Sequence, residues 1–458
     1  MSKFDAIIIG SGQAGPSLAG RLTQAGWTVA FVERKEFGGT CVNRGCTPTK
    51  ALVASAHAAH LARRGKDFGV VPPVEVVMNM PAVKARKDAI VAKSRDGIEA
   101  WLRGMDRCTV FKSIARFESP QSVRVGDEVL QADKIFLNVG ARPSIPAMPG
   151  VDSVPFLTSS TILDLESLPK HLIVVGGSYV GLEFAQMYRR FGSQVTIVER
   201  NSHLITHEDK DVSAAVQQIL EADGISLRLN AECIHLEHSG QDVAVGLDCS
   251  EGHPRVEGSH ILLALGRTPN TDDLGLDAAG LKTDEHGFIP VDDQLRTKVP
   301  GIWALGDCNG KGGFTHTSYN DFEIAAANLL DGDPRRVSDR ISAHALYIDP
   351  PLAQVGMTET EVRQTGKPAL IGTRPMTKVG RAVEKGESQG FMKVLVDAES
   401  KLILGASILG TGGDEAIHCI LTAMYARQPA SLIQRSVHIH PTVSELIPTV
   451  FGDLKPLV

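Results

Sequence analysis

Cysteine is scarce in this chain, and the scarcity makes two of its cysteines informative. Seven occur in 458 residues: Cys41, Cys46, Cys108, Cys233, Cys249, Cys308 and Cys419. The last five are scattered singly, with no short-spaced pair of the kind that holds a metal, and are read as small buried or bystander thiols. Excess charge of either sign is also missing. The balance of 47 basic and 53 acidic residues leaves −6, no electrostatic footprint for nucleic acid or an acidic membrane. No apolar run approaches a membrane span. The opening Met1-Ser2-Lys3 passes straight into Phe4-Asp5-Ala6-Ile7-Ile8-Ile9, which leaves no room for a secretory leader. These absences point to a cytoplasmic protein that handles small molecules, in a compartment where a lasting disulfide is more often catalytic than structural. What is present is ordinary for soluble globular cores: 43% hydrophobic residues, 22% charged, and 45 glycines suited to the turns of an α/β protein. The length suggests roughly two to four domains.

The apolar strand ending at Ile9 runs into Gly10-Ser11-Gly12-Gln13-Ala14-Gly15, then an amphipathic helix expected over 17–25, then a second strand over 28–32 closed by Glu33. Gly10 makes the tight turn, Gly12 admits a pyrophosphate to the helix amino terminus, Gly15 allows close helix-to-strand packing, and Glu33 is placed to accept from an adenosine ribose hydroxyl. The unit recurs. Leu172-Ile173-Val174-Val175 leads into Gly176-Gly177-Ser178-Tyr179-Val180-Gly181, a helix expected over 182–191, and a strand over 194–198 closed by Glu199. First glycine to terminal acid is 23 residues in both copies, 10 to 33 and 176 to 199. Ser178 departs from the glycine pattern, but a small residue is all that close backbone approach needs. The bland alternative is a pair of tight turns in an ordinary α/β sheet; two full units instead imply two dinucleotides.

Directly after the first unit stands Gly38-Gly39-Thr40-Cys41-Val42-Asn43-Arg44-Gly45-Cys46-Thr47-Pro48-Thr49-Lys50. Residues five apart on a regular helix have Cα atoms roughly 8–9 Å apart, whereas a disulfide tolerates at most about 7 Å. A bridge between Cys41 and Cys46 therefore requires a distorted segment. Asn43, Arg44 and Gly45 permit one, and Pro48 is expected to hold Thr47 extended and start a fresh helix. A thiol at that helix start is acidified by the dipole. The pair reads as a redox-active dithiol, against a structural disulfide or two unrelated thiols. Its position favours a flavin dinucleotide, FAD, in the first unit and an exchangeable nicotinamide in the second. Glu199 favours an unphosphorylated ribose and hence NADH, while Arg200 beside it pulls toward NADPH.

With these features in hand the chain resembles, over essentially its whole length, the pyridine nucleotide-disulfide oxidoreductases, among them dihydrolipoamide dehydrogenase, glutathione reductase and mercuric reductase. The resemblance rests on Gly39-Thr40-Cys41 through Cys46 and Lys50, Gly140-Ala141-Arg142-Pro143, Leu265-Gly266-Arg267-Thr268-Pro269-Asn270, Ile302-Trp303-Ala304-Leu305-Gly306-Asp307 and His438-Ile439-His440-Pro441-Thr442-Val443-Ser444-Glu445. It implies that Cys46 lies against the flavin as the charge-transfer thiol and that Cys41 is the interchange thiol. It implies that Asp307 accepts from the flavin ribitol chain, that Lys50 and Glu183 pair beside the flavin ring, and that Tyr179 covers the nicotinamide pocket. It further implies that His440, oriented by Glu445, is a general acid and base given to the partner subunit of a homodimer; an imidazole suits that work. Plainer readings stand beside these: Tyr179 as a packing residue at a helix start, His440 as a structural histidine. His57 and His60, three apart on one helix, could face alike as metal ligands, but no third ligand is evident.

The fold implied is α/β, two Rossmann-like dinucleotide-binding domains plus an α+β C-terminal dimerisation domain. Its expected boundaries are 1–145 with a return at 270–340 for FAD, 146–269 for NAD(P), and 341–458 for the interface, where Phe391-Met392-Lys393-Val394-Leu395-Val396 reads as apolar alternation. The acceptor is open among a small-molecule disulfide, a lipoyl group and a soft metal ion. Segments around Arg44 to Lys50 and Phe314 to Asp321 look mercuric reductase-like, although no cysteine pair stands near Val458. Dihydrolipoamide dehydrogenase is the alternative; glutathione reductase and a catalytically idle flavoprotein subunit rank below it.

Overall fold

A computed structural model describes residues 2–71, 75–232, 234–240, 242–247 and 255–457; Cys233 and Cys249 lie outside them. The first glycine-rich unit sits in a five-stranded parallel sheet ordered Ile302–Ala304, Lys134–Leu137, Ala6–Ile9, Val29–Glu33, Cys108–Lys112. Helices cover one face and the antiparallel strands Ala115–Ser119, Ser122–Val125 and Glu128–Gln131 the other, so the central strand is an unbroken apolar run in which Ile7 and Ile8 face opposite cores and both are 0% exposed. The second unit is built alike. Its sheet runs Leu157–Thr158, His260–Leu263, His171–Val175, Gln194–Val198, Ser226–Arg228, again all parallel.

Both helices begin earlier than their apolar spacing suggests, at Ala14–Gln24 and Tyr179–Phe191. The glycine-rich turn itself supplies the first helical turn, which aims its free N–H groups at whatever binds there. Gly10 at φ +103° and Gly176 at φ +115° occupy the same left-handed corner, and a Cβ would strike the carbonyl oxygen of Asn138 in one copy and of Ala264 in the other.

An antiparallel ribbon of Ala141–Pro143 and Arg267–Pro269 joins the two units. The chain ends in a six-stranded antiparallel sheet ordered Ala343–Leu346, Leu352–Gly356, Ile403–Leu409, Phe391–Asp397, Ala369–Pro375, Lys455–Pro456, backed by the helix Gly413–Tyr425. The strand Phe391–Asp397 does not alternate: Met392 through Val396 are all buried, because this strand is central and covered on both faces. Lys393, 1% exposed, is neutralised there by Asp209, Asp211 and Glu359, an ion cluster that pins the sheet to the second dinucleotide unit. Among the described residues no helix is long and apolar enough to cross a membrane.

Candidate active site

The two dinucleotide units and the C-terminal sheet meet around a cavity of about 1190 Å³. Its walls carry Gly10, Gly12, Glu33, Gly140, Cys41, Cys46, Lys50, Ser178, Tyr179, Glu183, Gly266 and Asp307, bringing most of the sequence-derived candidates into one space. Gly176, Gly181, Glu199 and Arg200 belong to the second glycine-rich turn beside it, and Gly15 packs beneath the first, where its N–H donates to Asn138.

The terminal acids of the two units are wired alike. Glu33 is 8% exposed and takes the N–H and hydroxyl of Ser11 on one oxygen (2.9 and 2.6 Å) and the Lys35 N–H on the other (2.8 Å). Glu199, 9% exposed, takes the Gly177 N–H on one oxygen (2.6 Å) and two Asn201 donors on the other (2.8 and 2.5 Å). Each carboxylate thus braces its own glycine-rich turn as well as presenting lone pairs outward. Arg200 is exposed beside Glu199.

The cysteine segment is two helices, Gly39–Arg44 and Cys46–Arg63, separated by Gly45 at φ −135°, ψ −119°. A side chain at Gly45 would come within 2.9 Å of the Thr40 carbonyl oxygen and 3.2 Å of Cys41 Cα. The break therefore sits at Gly45, and the second helix starts at Cys46, two residues ahead of the expected start at Pro48. Thr47 is helical, and Pro48 lies in the first turn, where a missing N–H costs nothing.

Cys41 and Cys46 are free thiols. Cys46 is open to solvent but lies on the concave floor of the cavity, at the amino terminus of an 18-residue helix, 3.1 Å from the Thr315 hydroxyl. A hydrogen bond from Cys41 pulls the Cys46 thiol down to about 6 against the cost of burial, helped by Thr315 and the positive charge of Lys50 and opposed by Glu183. Cys41 is pushed up, first by that hydrogen bond, then by burial and by the neighbouring thiolate's charge. The reduced pair accordingly holds its negative charge on Cys46 and its proton on Cys41. Alkylation of the reduced holoenzyme by iodoacetamide is expected to follow one ionisation with a midpoint near 6. The rate should be flat above it and fall about tenfold per pH unit below, because only the thiolate reacts. Lys50→Met should move the midpoint upward; a wild-type midpoint in the ordinary thiol range, about 8.5, would contradict this arrangement.

Lys50 pairs with Glu183 at 2.8 Å and lies 4.5 Å from the Tyr347 ring centre. The second Glu183 oxygen takes the Tyr347 N–H at 2.9 Å, so the C-terminal sheet helps to aim the lysine. Asp307 faces the cavity with its carboxyl pushed up by burial, Arg267 at 3.6 Å offsetting this only in part. The loop that carries it is fixed by Asp321, which takes the Gly306 N–H and the Asn309 amide and pairs with Arg340. These features fit a flavin dinucleotide. The buried Arg267 Nε, 3.6 Å from Asp307, has no hydrogen-bond partner, and a side chain at Gly12 would stand 2.6 Å from Asn138 Oδ1.

His440 does not line this cavity. Its Nδ1 meets Glu445 at 2.7 Å, as the motif implies, but its ring is 81% exposed on a loop of the C-terminal sheet beside Val437 and Ile439, themselves 100% and 79% exposed. A protruding loop that shows water two aliphatic side chains and a histidine is shaped for a second subunit. His57 is engaged by Asp349 at 2.8 Å, away from any metal role with His60.

Apart from Thr315, which lies in the Phe314 to Asp321 segment, the remaining site residues carry no motif signal. Asn138 ties the first turn to the Leu305 carbonyl, Thr315 touches Cys46, and Glu208 and His344 meet the Tyr179 hydroxyl. Of the others, Asn138 alone offered a clue, as a polar residue ending the apolar strand Lys134–Leu137.

Comparison with known proteins agrees with this geometry. The family model described as pyridine nucleotide-disulphide oxidoreductase matches residues 4–323, and that of the family's dimerisation domain matches 342–451. The chain is 35% identical over 463 residues to the probable pyridine nucleotide-disulfide oxidoreductase RclA of Escherichia coli K12, covering 99% of this chain and 100% of that one. It is 33% identical to the dihydrolipoyl dehydrogenase of Thermus scotoductus (97% and 96% covered) and 32% identical to the mercuric reductase of Streptomyces lividans (97% and 94%). A solved structure described as the Cu(II) complex of the HOCl-induced flavoprotein disulfide reductase RclA of E. coli superposes with a TM-score of 0.90 at 34% identity, with 99% of each chain covered. This chain therefore belongs to the pyridine nucleotide-disulphide oxidoreductases, homodimeric enzymes that use FAD and a reduced pyridine nucleotide.

Proposed function

We propose that the protein reduces a disulfide or a soft metal ion through the Cys41–Cys46 pair, at the expense of NADH in preference to NADPH. The observation that carries this reading is the asymmetric charge of the two thiols on the floor of a cavity shared by both dinucleotide units. FAD, when bound, relays two electrons from the nicotinamide to the cysteine pair. Gly10, Gly12, Gly15, Glu33, Gly140, Gly266 and Asp307 hold it, while Gly176, Ser178, Gly181, Glu199 and Arg200 hold the nicotinamide dinucleotide under the cover of Tyr179. The resulting flavin-binding portion comprises 1–145 and 270–340, the nicotinamide portion 146–269 and the interface portion 341–458.

In the reduced pair Cys46 keeps the charge beside Lys50, and Cys41 keeps the proton until a base removes it. The partner subunit's copy of the histidine at 440, aimed by its carboxylate, takes that proton. Cys41 then attacks the acceptor disulfide, forming a mixed disulfide and expelling one thiolate, which the imidazolium protonates. Cys46 attacks Cys41 Sγ, expels the second thiolate, which takes a proton from solvent, and closes the intramolecular disulfide, so the two electrons lost by the pair are those gained by the acceptor. NADH preference follows from Glu199, the carboxylate that closes the second unit, which would repel a 2′-phosphate.

A metal acceptor is the second reading, favoured by the likeness to a protein solved as a Cu(II) complex. Two Cu(II) ions would take one electron each as the dithiol closes. Lipoamide is the further candidate. Anaerobic titration with NADH and separately with NADPH tests the reading: a long-wavelength absorbance band should appear at half of the total reducing capacity, at lower NADH than NADPH. Stopped turnover with Cu(II), lipoamide and small disulfides then ranks the acceptors. Bleaching without that band would mean that the thiols are uncoupled from the flavin.

A further inference from the structure

Tyr179 is held by a polar contact that the binding of two dinucleotides does not require. Its hydroxyl donates to Glu208 Oε1 at 2.5 Å, and His344 Nε2 approaches the same oxygen at 2.6 Å. The Glu208 side chain is 1% exposed, and its other oxygen is buried with no hydrogen bond. This carboxylate depends on the few donors it has.

Three separate parts of the chain converge here. Tyr179 opens the helix of the second dinucleotide unit, Glu208 comes from the segment that folds back over that unit, and His344 stands on the edge strand Ala343–Leu346 of the C-terminal sheet. The fold-back is itself unusual. Ile205, a β-branched residue 3% exposed, takes φ +43°, its N–H donating to the Gly177 carbonyl while its own carbonyl takes the Glu208 N–H. A left-handed β-branched residue is costly and persists where the surroundings require it. On the other side His344 stacks on Phe314 at 5.7 Å and 8°, and Phe314 leans on the Tyr179 ring at 6.5 Å. Histidine and glutamate thus sit behind the tyrosine ring, which packs 5.5 Å from the His344 ring and is the member of the three that lines the cavity.

We propose that Glu208, positioned by His344, is the catch of the Tyr179 cover, holding the ring over the nicotinamide pocket until a reduced dinucleotide displaces it. The inference rests on the reading of Tyr179 as that cover. Displacement removes one donor from a buried carboxylate that already has an unbonded oxygen, and this cost is subtracted from the binding of the dinucleotide. Glu208 and His344 are positioning residues that set how much dinucleotide is needed, not how fast the hydride moves.

The test is rapid-mixing reduction of the flavin-loaded dimer by NADH, comparing the half-saturating concentration with the limiting rate. Tyr179→Phe should lower the half-saturating concentration about fivefold, the size of one hydrogen bond, and move the limiting rate far less; Glu208→Gln, which keeps an acceptor oxygen but loses its charge, should lower it by less. The double variant should fall no further than Tyr179→Phe alone, since the hydroxyl through which Glu208 acts is already gone. Unchanged or raised half-saturation in Tyr179→Phe, which keeps the ring and its packing, would overturn the catch even if Glu208→Gln fails to fold, as would additive effects. Wild-type protein that NADH does not reduce would overturn the cover and the catch together.

Discussion

Cys46→Ser is expected to lower NADH-dependent disulfide reduction by at least about 1000-fold while NADH still bleaches the bound flavin. The size of the loss follows from chemistry that serine cannot imitate: an alkoxyl oxygen does not close a disulfide, so the pair can neither accept two electrons nor pass them on. The geometry adds a second, sharper expectation. The hydrogen bond from Cys41 is the largest influence that brings Cys46 to about 6. Cys41→Ala should abolish turnover equally, yet leave a Cys46 thiol whose ionisation midpoint has risen, read by alkylation or by the long-wavelength absorbance of the oxidised flavoprotein. Cys41→Ser, whose hydroxyl can still donate, should raise it less. Turnover within tenfold of wild type in Cys46→Ser would sink the dithiol mechanism. An unmoved midpoint in Cys41→Ala would mean that the helix terminus, Thr315 and Lys50 suffice without the neighbouring thiol.

His440→Ala is expected to lower disulfide turnover by roughly 10²- to 10⁴-fold, the usual contribution of a positioned acid and base. The structure makes the location of the effect testable as well as its size. His440 is 81% exposed and absent from the cavity wall in its own chain, so the proposed proton transfer is with a thiol of the other subunit. Mixed dimers, purified through two different tags from cells making Cys41→Ser and His440→Ala chains together, contain one site with both lesions and one with neither. They should show about half the wild-type activity, although each parent dimer is inactive. Mixed dimers as dead as their parents would place the histidine's action within its own chain. Glu445→Gln keeps the contact at 2.7 Å but not the charge, and should fall between wild type and His440→Ala.

The two dinucleotide units were legible because everything that defines them is local. An apolar strand, a positive-φ glycine, a helix start and a terminal acid all lie within 28 residues, Ala6 to Glu33 in one copy and Leu172 to Glu199 in the other, and each follows from backbone geometry that a short sequence specifies. The cysteine segment was legible in kind but not in register. The need for a break was clear from helix geometry, yet Pro48 drew the helix start too far along, when Gly45 was the residue whose missing Cβ allowed the chain to turn. The C-terminal strand Phe391–Asp397 misled in another way: it read as apolar alternation but is buried on both faces, and only the cluster of Asp209, Asp211 and Glu359 explains how Lys393 is buried there.

By itself the sequence determined the pattern of strands and helices, the two glycine-rich turns, the cysteine pair and the histidine–carboxylate motif, because periodicity and short spacing encode them. Tertiary structure alone decided which distant polar groups meet: Asn138 with Gly15, Glu183 with the Tyr347 N–H, and Glu208 with His344, residues 136 apart. It also decided that the thiolate charge rests on Cys46 and that His440 faces outward. Such pairs have no periodic signature, since a buried carboxylate takes whichever donor the packing of separate elements delivers to it, and that packing is a property of the whole fold.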